Sequence, residues 1–181
     1  MRVRFISKGG VLGQGDRMVR IELQPGNVYV LLGKKPDRAF QLFKVFKARG
    51  REARVVARMH PERLETQFGI PRESVTWLSN SGGPGSVHPQ DIGVLTDGMM
   101  RLYERDVGLA FIVEGIEYLM TQNDFGKMLR VVNFVYEAVA VHQGLMIMTL
   151  DPEAFSEKEL AYLTRESVVV SEKDEMVLWP D

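Results

Sequence analysis

Three short runs, Val28–Leu32, Leu109–Val113 and Leu145–Thr149, contain no charged residue and are apolar almost from end to end. A strand with one face in water alternates apolar and polar residues, whereas a strand covered on both faces does not. These three runs therefore predict the central strands of a parallel sheet with helices packed on each side. Two further runs, Ala53–Ala57 and Ser74–Leu78, have the same length and the same β-branched or aromatic content.

The stretches between them carry the other period. Ile92, Leu95, Met99 and Leu102 fall on one helical stripe, as do Phe125, Met128/Leu129, Val132, Val135/Tyr136 and Val139. Four segments open with a proline followed within two residues by an acid: Pro36-Asp37, Pro61-Glu62, Pro89-Gln-Asp91 and Pro152-Glu153. Proline in a first turn loses no needed N–H, and the acid meets the positive end of the helix dipole. Ser156-Glu-Lys-Glu159 reads as a capping box for a last helix. Strand and proline-started helix in repeated alternation predict α/β units and a three-layer α/β/α arrangement on a mostly parallel five-stranded sheet.

The ends have a different pattern. Residues 1–23 read as strands Arg2–Ile6 and Met18–Leu23 around a connection holding Gly9, Gly10, Gly13 and Gly15. Residues 167–181 read as Val168–Val170 and Met176–Trp179 around the polar turn 171–175. Both are expected to be hairpins that edge the sheet. At 181 residues and 20.5 kDa the chain is expected to form a single domain, 1–181. Without cysteine, thiolate metal sites, disulfides and cysteine catalysis are excluded. The absence of a long apolar run and the polar start MRVRFISKGG predict a cytoplasmic protein that uses no membrane.

Charge is balanced only in total. Residues 34–63 carry ten bases against three acids, and residues 151–181 nine acids against three bases, local balances of +7 and −6. The basic stretch suits either a phosphate or acidic partner, such as the acidic end of another copy, or solvated helix faces. It lacks neighbouring aromatic residues for stacking bases, which argues against nucleic acid.

The motifs stop short of catalysis. Gly9 to Gly15 precede a strand, so they do not meet the context of a dinucleotide loop. Gly33 and Lys34 stand at a strand-to-helix junction, the place of a phosphate loop. A full loop needs a glycine where Val28 stands and a hydroxyl where Lys35 stands. Glu114 follows a strand, where an acid either coordinates magnesium or activates water, as in nucleotide hydrolases, or caps the next helix. His60 and His88 precede prolines, His142 lies near a helix end, and Ser79, Ser81 and Ser86 have no neighbouring base. The segment 79–86 has the composition of a mobile loop and follows a strand, where binding loops sit.

The segment from about Asn27 to Glu166 resembles the archaeal domain-of-unknown-function family 835. The blocks that carry the resemblance are Val75-Thr-Trp-Leu-Ser79, Phe111-Ile-Val-Glu-Gly-Ile-Glu-Tyr-Leu119 with Asn123-Asp-Phe125, and Leu150 to Leu160 with Thr164-Arg-Glu166. The resemblance implies a RecA-like core without its phosphate loop, often accompanying sensory or signalling domains; it implies no activity. The family usually carries Asp at the position of Glu114.

Ligands of such sheets bind outside the strand carboxyl ends. That rim is expected to gather Gly33, Lys34, Lys35, Arg58, Ser79, Asn80, Glu114 and Asp151, with no catalytic residue, metal site or cofactor assigned. The sequence thus points to a non-catalytic regulatory or protein-interaction module that forms a two-fold dimer through its terminal strands. The alternative is a domain or enzyme that binds a nucleotide or a phosphorylated small molecule at the rim, with Lys34, Lys35 and Arg58 on the phosphate and Glu114 as acid or base.

Overall fold

The computed structural model describes residues 3–5 and 19–178. In chain order these form β1 (Val3–Phe5), β2 (Val19–Leu23), β3 (Asn27–Leu32), α1 (Asp37–Ala48), β4 (Ala53–Ala57), α2 (Pro61–Phe68), β5 (Val75–Leu78) and β6 (Ser86–Val87). There follow α3 (Ile92–Arg105), β7 (Ala110–Val113), α4 (Ile116–Gln122), α5 (Phe125–Val141), β8 (Leu145–Leu150), α6 (Glu157–Thr164), β9 (Val168–Val170) and β10 (Glu175–Leu178). The glycine-rich connection and Trp179 lie outside the described residues.

The five apolar runs are all strands of one sheet, and every pairing in it is parallel. Its order is β6-β5-β4-β7-β8-β3-β9, seven strands rather than five. The two extra strands are short edge strands, whose pairing is decided by what lies beside them rather than by their own composition. Side chains alternate between the faces as the strand period requires. On one face Tyr29, Leu31, Val55, Ile112 and Ile147 pack on Phe40, Phe43 and Phe46 of α1 and Leu64 of α2. On the other, Val30, Val56, Phe111, Val113 and Met148 pack on α3, α4, α5 and Leu163 of α6. With both faces covered, the all-apolar runs have their physical reason, and the fold is the expected three-layer α/β/α type.

Close packing fixes Gly144, just before β8. A methyl group there would stand 2.3 Å from the ring of Tyr103, whose hydroxyl donates to the Leu145 carbonyl at 3.3 Å.

The C-terminal strands differ from the expectation. β9 and β10 do not pair with each other: β9 lies parallel to β3 in the large sheet, and β10 lies parallel to β2 in a separate sheet of order β1-β2-β10. At the other end β1 and β2 are antiparallel, as a hairpin requires. The small sheet exists because Ile21, Leu23 and Leu178 have an apolar face to cover on the α1 side, beside Tyr29, Leu31 and Val170. A hairpin confined to the sheet edge would have left those side chains in water.

The helix starts also show which proline signals sufficed. His60 caps α2, its Nδ1 accepting the Glu62 N–H at 3.3 Å, and the box at Ser156 and Glu159 is complete. Pro36 occupies the cap position of α1, and Asp91 that of α3. Pro152 starts only a single 3₁₀ turn, Pro152–Ala154, because Phe155 is extended and Ser156 reopens the chain as a new cap. No helix among the described residues is long and apolar enough to cross a membrane.

Candidate functional site

Leaving β3 and β4, the chain takes the α1–α2 side; leaving β7 and β8, it takes the α4–α6 side. Since β3 neighbours β8 and β4 neighbours β7, the connections diverge at two places along the carboxyl edge. Each divergence opens a crevice of the kind in which parallel sheets hold ligands.

The first crevice lies between β3 and β8 and brings together Gly33, Lys34, Lys35 and Asp151. The Gly33 N–H donates to the Leu150 carbonyl at 3.0 Å, so it extends the ladder rather than pointing at a ligand. Lys34 Nζ contacts Glu153 at 2.6 Å in a solvent-exposed pair, and Lys35 is exposed. Asp151 Oδ1 accepts the Glu153 N–H at 3.0 Å, and the Asp151 N–H donates to Glu117 Oε1 at 2.7 Å. Burial pushes the Glu117 carboxyl above the usual carboxylate range, against the opposing effect of that backbone bond, and the charges of Glu114 and Asp151 push the same way as burial.

This crevice is covered by the chain itself. The turn 171–174 between β9 and β10 is tied to α1 by Arg38, whose guanidinium donates to the Ser171 carbonyl at 2.8 Å and to the Asp174 carbonyl. The Ser171 N–H and hydroxyl each contact Asp174 Oδ2 at 2.8 Å. The Glu172 carboxylate rests over Gly33, with Oε1 only 2.7 Å from where a methyl on Gly33 would stand. A carboxylate thus occupies the space just outside the junction where a phosphate loop would begin.

The second crevice, between β4 and β7, holds Arg58 and Glu114. Glu114 Oε2 accepts the N–H groups of Arg58 at 2.8 Å and Met59 at 3.3 Å. Glu114 therefore caps the loop after β4, whereas of the two roles open to it the cap of the following helix is not the one it takes. The chain then turns at Gly115, at φ +96°, where a side chain would meet Arg58 Cβ at 3.3 Å and Leu78 Cδ1 at 3.4 Å. Arg58 places its guanidinium 4.7 Å from the centre of the Tyr118 ring, and its carbonyl accepts Trp77 Nε1–H at 3.2 Å.

Ser79 and Asn80 follow β5, beyond the second crevice. Ser79 is buried and structural: its N–H donates to the Val87 carbonyl, and its hydroxyl oxygen accepts the Ser81 N–H at 3.1 Å. Asn80 is exposed. The eight expected rim residues are thus divided between two crevices and one outer loop. The loop itself is shaped by three left-handed glycines and ends in the two residues of β6. Arg38, Glu117, Tyr118 and Glu172 were not identifiable beforehand, since nothing local marks an arginine that reaches across 133 positions. Each carboxylate at the two crevices other than Glu153 and Glu172 accepts a backbone N–H, which suits holding loops rather than moving protons. Among the described residues no three His, Asp or Glu side chains lie close enough to share a metal ion.

A parallel α/β/α sheet with a lysine-bearing junction after its first central strand, and no wrapped loop there, defines a RecA-like core without a phosphate cradle. The chain belongs to the family described as Protein of unknown function (DUF835), which it matches over residues 32–167. Among solved structures it is similar to the Pyrococcus horikoshii OT3 protein PH0250, with a TM-score of 0.57 and 12% identity, over 82% of each chain. It is also similar to the KaiC-like protein PH0186 of the same organism, with a TM-score of 0.57 and 11% identity, over 81% of this chain and 73% of the other. At such identities the likeness concerns the fold alone. No curated protein matches the sequence.

Proposed function

We propose that this chain is a non-catalytic regulatory or protein-interaction module built on a nucleotide-hydrolase-like fold. The observation that carries this reading is the position of the turn 171–174, held by Arg38, with Glu172 over Gly33. A carboxylate at the β3–α1 junction repels an incoming phosphate and fills its space. The lysine that would reach a phosphate faces Glu153 instead.

The contacts of such a module are made by its surface. Among the described residues β9 pairs only with β3 and carries the exposed Val169, so it presents an edge to a second copy and supports the two-fold dimer. Light scattering of the intact protein at micromolar concentration is expected to give the mass of a dimer; a monomer mass removes self-association from the proposal.

Thermal unfolding with a panel of nucleotides and phosphorylated metabolites tests the reading. A ligand at about 100 times its Kd adds roughly 2.7 kcal/mol to stability, and the module is expected to show no such shift. A shift with a phosphorylated small molecule, lost on replacing Lys35 or Arg58, supports the alternative in which the rim is a binding site.

A further inference from the structure

The face of the sheet that carries α1 and α2 is incompletely covered at the β5–β6 margin. Helix α2 has only eight residues, and beside it a groove of about 390 Å³ runs along β5. Val75 and Trp77, two residues apart and so on the same face of the strand, form its floor. His60 and Pro61 at the start of α2 form one wall and Pro84 the other. The imidazole of His60 meets the Trp77 ring edge-on, with centroids 4.8 Å apart. The indole Nε1–H is already committed to the Arg58 carbonyl, which leaves the groove an aromatic surface rather than a donor.

The charges around this floor are uneven. Glu62 and Glu73 border the groove, and among the described residues Glu73 makes no ion pair. The bordering cation, Arg72, is held by Glu65 at 2.6 Å and lies 3.8 Å from Glu62. The neighbouring Arg58 is turned away onto Tyr118, and Arg54 donates its Nη1–H to the Glu73 backbone carbonyl at 2.9 Å rather than to the Glu73 carboxylate. An aromatic floor for an aliphatic stem, a carboxylate without a cation, and cations either neutralised or directed elsewhere complement a positive group on a flexible apolar arm.

We propose that this groove takes the lysine or arginine side chain of an extended segment from a partner protein. The proposal rests on reading the chain as an interaction module and names the chemistry of what that module recognises. It lies apart from the β3–α1 junction and needs no nucleotide.

The indole N–H resonance of Trp77, assigned with Trp77→Phe, reports binding directly. The probes are blocked tripeptides with a central lysine, arginine or norleucine, and spermidine. Lysine and arginine peptides are expected to shift the resonance saturably, and Glu62→Gln with Glu73→Gln to weaken them about tenfold, while norleucine has no effect. No shift with either basic peptide overturns the proposal. So does an equal shift with norleucine, which makes the groove merely apolar, and so does tighter binding of spermidine, which makes the ligand a free polyamine. The same samples, given ATP and magnesium, are followed for phosphate release. Turnover overturns the interaction-module reading whatever the indole reports, whereas failed peptide binding without turnover overturns the groove alone.

Discussion

Glu114 holds the backbone of Arg58: its Oε2 accepts the Arg58 N–H at 2.8 Å, across the gap between the ends of β7 and β4. The following N–H, that of Met59, reaches the same oxygen at 3.3 Å. A carboxylate in a position that suggests magnesium or water activation is thereby occupied with the loop of the neighbouring strand, and that loop presents Arg58 to Tyr118.

Removing this clasp has a measurable cost. Glu114→Ala removes the partner of the exposed Arg58 N–H and of the part-buried Met59 N–H and is expected to lower stability by about 0.5–1.5 kcal/mol, read as a lower urea midpoint at unchanged slope. Glu114→Gln, which keeps one acceptor oxygen, is expected to recover part of the loss. A midpoint unchanged in Glu114→Ala contradicts the capping role.

The sheet interior is less forgiving. Ile112 is fully buried in β7, between β4 and β8, so Ile112→Asp puts an unpaired charge among apolar side chains and is expected to prevent folding. Lys44→Ala, on the exposed side of α1, is expected to stay within about 0.5 kcal/mol of wild type. Soluble Ile112→Asp protein with a cooperative unfolding transition contradicts the central position of β7.

Glu117 gives stability a pH dependence of definite sign. Its folded carboxyl is held above the ordinary glutamate range, with burial the main cause, so the native state binds its proton more tightly than the unfolded chain does. This contribution therefore falls as pH rises from the ordinary glutamate value through the raised one. Glu117→Gln retains an oxygen for the Asp151 N–H and removes the ionisation. Its denaturation midpoint is expected to exceed that of wild type at about pH 7 and to match it near or below about pH 4. A difference independent of pH contradicts burial as its source.

The sequence made the central sheet legible because strands covered on both faces lose their polar alternation, and five runs could be placed almost to the residue. It could not reveal where the terminal strands pair. Val168–Val170 and Glu175–Leu178 are close in the chain and both short, yet they join different sheets, because β3 on one side and β2 on the other each had an edge for them to pair with. The rim was legible in its polar residues and not in its arrangement. Gly33 and Lys34 marked the junction, but Glu172 over Gly33 and Arg38 on the turn 171–174 are contacts between distant parts of the chain. Trp77 was visible as a strand residue. Its role as the floor of a groove depends on the shortness of α2 beside it, and that emerges only once the layers are assembled.

The state of the β3–α1 junction decides whether the protein is catalytic, and phosphate release from ATP and GTP in the presence of magnesium reads that state. With Glu172 over Gly33, Lys34 directed to Glu153 and no hydroxyl at Lys35, the intact protein is expected to release phosphate no faster than buffer does, and Lys34→Ala is expected to be indistinguishable from it. Magnesium-dependent turnover by the intact protein that disappears in Lys34→Ala would contradict the account.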